Sequence, residues 1–287
     1  VTSVAQTVAE GTALLRDSSP SPRADALLLL AHVLRRGRDW IVAHGDAMPS
    51  REEAQAFERL RAQRGKGVPI AYLLGSAGFY GREFLVNENV LVPRPETEHL
   101  VAEAIAFIGN RSLRALDVGT GCGIIACTIA AETQARVDGT DVCATAIATA
   151  SENARRLGVA SRCRFHHGAL AQPVSGRRFD LIAANLPYIP TADLPQAPDP
   201  VSFEPRRALD GGSDGLSLYR RLLEALPTLL APRAMLLLEA APAIIEGLRD
   251  RVRSALPDFA IAVCDDYAGL ARYIKAERRE ARQASQG

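Results

Sequence analysis

The spacing of apolar positions changes along the chain, and the predicted elements follow from it. Over residues 24–36, leucines and alanines recur in a helical stripe, and Ser21-Pro22 stands where an N-cap and a first helical proline belong. Ser50-Arg51-Glu52-Glu53 has the form of a capping box and opens a helix to about Arg64, with residues 45–49 supplying the break. Residues 78–92 alternate apolar and polar side chains around Gly81, which predicts a β-hairpin. A further helix is expected near Glu96, with acids in its first turn.

From Ser112 the pattern becomes strand, helix, strand, helix. Strands are predicted over residues 114–118, 135–141, 163–167, 179–185, 234–239, 259–264 and 271–275. Helices fall between most of them, notably over 144–157, 216–230 and 242–255. This alternation predicts an α/β fold with a mainly parallel, doubly wound sheet. The last two strands lie close together in sequence, so an antiparallel final pair is expected. The chain is thereby divided into a helical domain (1–66), a linker with a hairpin (67–95) and an α/β domain (96–287). The polar tail after about Ala276 is expected to fray.

Composition narrows the class. Of 287 residues, 47% are hydrophobic, enough for a full core and a small second domain. The formal charge is only +1, so nothing in the balance asks for a polyanionic partner, and Arg35-Arg36 and Arg278-Arg279 are taken as solvated helix faces. No apolar run approaches the roughly 20 residues of a membrane span, and no secretory signal is expected. Cys122, Cys127, Cys143, Cys163 and Cys264 are odd in number and include no C-x-x-C pair, which argues against zinc and a disulfide framework and for reduced thiols in the cytoplasm. His166-His167 is a tempting metal pair, but neighbours in a strand point to opposite faces, and no metal is expected.

Two motifs carry chemistry. Leu116-Asp117-Val118-Gly119-Thr120-Gly121-Cys122-Gly123 follows the first strand of the α/β region and opens a helix. Its G-x-G-x-G spacing lets the backbone turn tightly and approach a ligand, and differs from the dinucleotide G-x-G-x-x-G. The next strand ends at Asp141, near the offset at which an acid commonly holds ribose hydroxyls; its structural alternative is an N-cap for the helix from Ala144. Together they indicate an adenosine-containing cofactor. Asn185-Leu186-Pro187-Tyr188 ends the fourth strand, on the same sheet edge. The Asn185 side-chain oxygen and the Leu186 carbonyl can accept the two N–H bonds of a planar amide, whose nitrogen is a poor nucleophile, and stabilise the charge that develops on it. Tyr188 can lie against such a planar group.

These motifs resemble class I methyltransferases that modify amide or exocyclic amine nitrogens. The resemblance narrows to the HemK family, the peptide chain release factor glutamine N5-methyltransferases. It is carried by the helical N-terminal region, Phe79-Tyr80-Gly81 with Phe84, Val92-Pro93-Arg94-Pro95-Glu96-Thr97-Glu98, the block from Phe203 through Glu204-Pro205-Arg206 to Leu216, and Asp266 to Arg272. It implies a class I methyltransferase fold, S-adenosyl-L-methionine as methyl donor, and release factors 1 and 2 as protein substrates. By the same resemblance Gly119, Thr120, Gly121, Cys122, Gly123, Asp141 and Leu170 bind the donor, with Asn185 alongside. Asp117 would anchor its methionyl ammonium, directly or through water. Asn185, Leu186, Pro187 and Tyr188 hold the glutamine, with Asn185 and Tyr188 catalytic. A monomeric, cytoplasmic enzyme without direct nucleic-acid binding is expected. Three positions depart from the family: Leu186 replaces a proline, Ala169 an acid and Ala240 a glycine. An adenine N6-methyltransferase and a non-catalytic paralogue remain alternatives; the aromatic content of 5% speaks against the first, and intact Asp117, Asp141, Asn185 and Tyr188 against the second.

Overall fold

The computed structural model describes residues 2–278. The chain forms two units: one holds the chain up to Ala77 with Val86–Glu88 and Pro195–Glu204, and the other holds the remainder.

Five helices make the first unit: α1 (Val4–Leu14), α2 (Pro22–Leu34), α3 (Arg38–Ala43), α4 (Arg51–Gly65) and α5 (Ile70–Leu74). The expected capping box at Ser50 and Glu53 is present, and a second, from Ser3 and Gln6, opens α1. Ser21 does occupy the N-cap of α2 but makes no side-chain cap bond. Its N–H instead donates to Ser19 Oγ, and the Ser19 hydroxyl donates to Asp25. Asp25 also takes Arg64 Nε at 2.6 Å, a buried ion pair between α2 and α4. Val8, Leu29, Leu30, Ile41 and Phe57 fill the core. Gly11 lets α1 approach α4, since a β-carbon there would lie 2.7 Å from the Phe57 ring. The weak apolar stripes of the short helices α3 and α5 concealed them in the sequence. Arg35-Arg36 lies past the end of a helix, not on its face: Arg35 is the left-handed C-cap of α2, and Arg36 sits 5.4 Å over the Trp40 ring.

Strands β1 (Ser76–Phe79) and β2 (Arg82–Leu85) form the hairpin. Tyr80 and Gly81 turn it with φ of 50° and 70°, the double left-handed geometry of a tight hairpin turn. Pairing stops at Leu85, short of the expected Val92, and the proline-rich run ahead of α6 (Thr97–Ile108) carries no regular structure.

In the second unit a seven-stranded sheet follows the order β5-β4-β3-β6-β7-β9-β8. Its strands are β3 (Arg114–Val118), β4 (Arg136–Asp141), β5 (Cys163–His167), β6 (Phe179–Ala184), β7 (Leu230–Glu239), β8 (Phe259–Asp265) and β9 (Ala271–Arg278). The first five run parallel, and β9 pairs antiparallel with both β7 and β8. Helices α7 (Ile124–Glu132), α8 (Ala144–Arg156), α9 (Ser217–Leu229) and α10 (Pro242–Ala255) complete it. Alternate side chains of the strands enter two cores, as a sheet covered on both faces requires. Leu116, Val118, Ile182, Leu236 and Leu238 meet α9 and α10. Ala115, Leu181, Ala183 and Leu237 meet α6 and α7. The strand order reverses between β3 and β6, so the crevice beyond their carboxyl ends is where such a sheet takes a ligand.

Glu277 and Arg278 continue β9 by pairing with Ala260 and Phe259, so Arg278 lies on a strand, not a helix. Arg279 and the rest of the tail fall outside the described residues. The two adjacent histidines part, His166 bonding Asp138 Oδ1 at 2.6 Å and His167 the Val142 carbonyl at 3.0 Å. All five cysteines are free thiols, four of them buried. No described helix is long and apolar enough to cross a membrane.

Candidate active site

At the β3–β6 reversal the second unit contains a cavity of about 190 Å³, lined by Gly119, Thr120, Gly121, Cys122, Asp141, Leu170, Asn185, Leu186 and Pro187 among others. Residues from two separated motifs therefore meet on one cavity. Asp117, Gly123 and Tyr188 are not part of this lining.

The glycine loop is shaped by its backbone angles. Gly119, Gly121 and Gly123 have φ of 75°, 55° and 86°, a region that favours residues without a β-carbon. The N–H groups of Gly119 and Thr120 both donate to the Thr140 carbonyl, tying the loop to β4. At Gly121 a β-carbon would meet no protein atom within 4 Å, so the cavity reaches the bare backbone there. Gly123 is the N-cap of α7 and has no side chain with which to cap it. Asp117, fully buried behind the loop, does this instead. Its Oδ2 accepts from Ala126 N, in the first turn of α7, at 3.2 Å and from the Thr120 hydroxyl at 2.6 Å. Its Oδ1 has no hydrogen-bond partner among the described residues. Burial pushes this carboxyl up to about 7, against the pull of those hydrogen bonds.

Asp141 ends β4. Its Oδ2 accepts from Gly121 N at 2.9 Å and its Oδ1 from Cys143 N at 2.8 Å. The N-cap of α8 is Cys143, so Asp141 braces the turn and the glycine loop without occupying the N-cap itself. Each carboxylate oxygen keeps a further lone pair, enough to take two hydroxyl donors. Val142 follows it with 60% of its surface exposed, and Ala169 and Leu170 add further apolar lining. Leu170 has φ of 48°, and Gly168 before it donates to the Asp141 carbonyl, which holds the end of β5 against β4. A polar acceptor pair beside an apolar wall and an open backbone loop fits the ribose, purine and amino-acid parts of an adenosine-type ligand.

Asn185 stands one residue past β6, with its side chain half-buried. Its Nδ2 donates to Thr97 Oγ1 at 3.2 Å, and both Asn185 and Thr97 hydrogen bond the Glu239 carboxylate. Leu186 is buried in the α9 face of the core. Its N–H donates to the Tyr219 hydroxyl at 3.3 Å, and that hydroxyl donates to the Glu239 carbonyl. Tyr188 is packed beside the core, where burial raises its phenol against the opposing pull of Arg272. Sequence reading missed Thr97, Tyr219, Glu239 and Val142. Their signals were the block around Thr97 that carries the family resemblance, a strand-terminal acid at Glu239 and the apolar residue following Asp141, none of which specifies a role at the site. The run Val92-Pro93-Arg94 also lines the cavity.

Comparison with known proteins adds a family. Residues 6–75 match the PrmC N-terminal domain, and residues 115–200 match a methyltransferase domain. A release factor glutamine methyltransferase of Bacillus cereus is 36% identical over 259 residues, covering 87% of this chain and 90% of the relative. That of Moorella thermoacetica is 38% identical over 261 residues, covering 90% and 92%. A crystal structure of a methyltransferase from Pyrococcus furiosus superposes with a TM-score of 0.53 at 17% identity, over 71% of this chain and 92% of that one.

Proposed function

This chain belongs to the release factor glutamine methyltransferase family, and we propose that it transfers a methyl group from S-adenosyl-L-methionine to the side-chain amide nitrogen of the glutamine in the Gly-Gly-Gln motif of release factors 1 and 2. The observation that carries this reading is the meeting of the glycine loop and Asn185-Leu186-Pro187 on one cavity.

The bound donor supplies an electrophilic methyl on a sulfonium. The chain's part is binding and aim. Asp141 presents its free lone pairs to the ribose hydroxyls, and the open backbone at Gly119 to Cys122 accommodates the methionyl part. Val142, Ala169 and Leu170 give the purine apolar contact, and Ala169 offers no polar group to it. Asp117 is sequestered behind the loop, so its role toward the methionyl ammonium passes through the loop it braces or a bridging water.

On the acceptor side, Asn185 Oδ1 and the Leu186 carbonyl take the two N–H bonds of the glutamine amide. This turns the nitrogen toward the methyl and disperses the positive charge that develops on it. Tyr188 flanks the planar group. No strong base is needed before attack, because the proton becomes acidic once the nitrogen is alkylated and then leaves to solvent. Pro187 restricts Leu186 to extended backbone, its side chain fills the core, and its carbonyl lies 3.3 Å from the Tyr219 hydroxyl. The protein acts as a monomer in the cytoplasm, where its substrates work.

The test incubates the purified protein with labelled donor, release factors and ribosomal RNA, and maps the label by mass spectrometry. Label on the Gly-Gly-Gln glutamine is expected; label on an RNA adenine alone would replace this reading with the nucleic-acid one.

A further inference from the structure

Glu239 is buried to 1% exposure at the end of β7 and is not part of the cavity lining. One of its oxygens, Oε2, has no hydrogen-bond partner among the described residues. A carboxylate in that position costs stability unless it serves the structure around it. Its neighbours indicate what it does. The Thr97 hydroxyl bonds the carboxylate, and Asn185 bonds both the carboxylate and Thr97 Oγ1.

In its ionised form the Glu239 carboxylate only accepts hydrogen bonds. Thr97 must therefore donate its proton to Glu239, and Asn185 must turn its NH₂ end toward the pair. The asparagine amide is then left with Oδ1 as the end free to accept. We infer that Glu239, through Thr97, is a positioning residue that locks the Asn185 amide with its oxygen toward the acceptor nitrogen. This deepens the proposed function and rests on it for the identity of the acceptor.

The backbone reinforces the lock. The Tyr219 hydroxyl joins the Leu186 N–H to the Glu239 carbonyl, so the ends of β6 and β7 are pinned at two points, one through side chains and one through main chain. Burial raises the Glu239 carboxyl to about 7, and the hydrogen bonds from Thr97 and Asn185 pull it back toward its ionised form. Arg272 on β9, itself held by Asp266 at 2.9 Å, lowers its proton affinity, whereas Glu96 ahead of α6 raises it. Were the amide reversed, its NH₂ would face the donor hydrogens of the glutamine, and the acceptor would lose one of its two hydrogen bonds.

The test uses Glu239→Gln, Thr97→Val and Thr97→Ser in the full-length protein, with melting temperatures as a folding control. Glu239→Gln keeps the shape but can donate to Asn185 Oδ1 and reverse the chain. A fall in kcat on the order of 100-fold is expected for it and for Thr97→Val, with the Kd of the donor and the KM of the release factor within about threefold of wild type. Thr97→Ser, which keeps the hydroxyl, should restore most of the rate. Independently of turnover, the side-chain NH₂ resonance of Asn185 in labelled protein should shift upfield in Glu239→Gln. Unchanged kcat in both Glu239→Gln and Thr97→Val, or an unmoved Asn185 resonance, would overturn the lock. If wild-type protein does not methylate release factors, the proposed function fails while the resonance still decides the lock.

Discussion

Leu186 Cδ2 stands 2.9 Å from the place a β-carbon on Gly119 would occupy, so the glycine loop and the acceptor motif are in direct van der Waals contact. Gly119 and Leu186 lie 67 residues apart in the chain yet share one wall, because β3 and β6 are neighbours in the sheet with Val118 beside Ala184. The side chain of Leu186 therefore backs the glycine loop that lines the cavity.

From this contact, Gly119→Ala should be damaging in two ways. The methyl meets Leu186, and φ of 75° is strained for alanine, at roughly 1–3 kcal/mol. A lowered melting temperature and at least about tenfold weaker donor binding by calorimetry are expected. Gly121→Ala is the contrast. With no protein atom near its new methyl, it should cost donor affinity while lowering the melting temperature less.

Asn185→Ala removes the amide that would accept the glutamine N–H. Turnover should fall by about 100-fold or more, the range seen when a single transition-state donor or acceptor is deleted. Donor binding measured by calorimetry should stay near wild type. Undiminished methyl transfer would rule out the assigned role.

Asp141→Ala should weaken donor binding by at least about tenfold, since it deletes both hydroxyl acceptors and releases the N–H groups of Gly121 and Cys143. Asp141→Asn keeps one acceptor oxygen and should fall between the two. Calorimetric titration with the donor separates the three proteins, and an equal Kd for all would refute the assignment.

Asp117 gives a pH dependence with a definite sign. Its folded carboxyl is raised to about 7 from an ordinary 3.8, so between these values the folded state holds a proton that the unfolded state has released. Its contribution to stability is therefore most favourable at about pH 4 and falls as pH rises to about 7, the opposite of a salt-bridged acid. Glu239 is raised to about 7 as well, so wild-type stability has two sources of decline in this window. Asp117→Asn retains an acceptor for Thr120 and Ala126 and should flatten part of the slope. Denaturant melts at pH 4.5, 6 and 8 measure it, and parallel curves for both proteins would refute the buried-acid account.

Much of the α/β unit could be predicted because its signals are local. Strand runs such as residues 114–118 and 163–167 coincide with β3 and β5, since short runs set between helical stretches in a strand–helix alternation are marked by local sequence. Asn185 was expected inside the fourth strand and lies one residue beyond it, a shift that frees its side chain for the cavity. Helices α3 and α5 escaped notice because six- and five-residue helices owe their formation to packing, not to a periodic pattern.

Sequence by itself determined the order of strands and helices, the glycine loop, the acid after the second strand and the Asn185-Leu186-Pro187-Tyr188 tetrapeptide. These follow from residue types at fixed short spacing, which act through local backbone preference. Tertiary structure decided which of them meet. It turned Asp117 away from the cavity to cap α7, because the glycine at that N-cap had no side chain to offer. It also brought Thr97 from the start of α6 and Glu239 from the end of β7 to Asn185. Hydrogen bonds across such separations depend on sheet order and side-chain direction, and neither is written in any one stretch of chain.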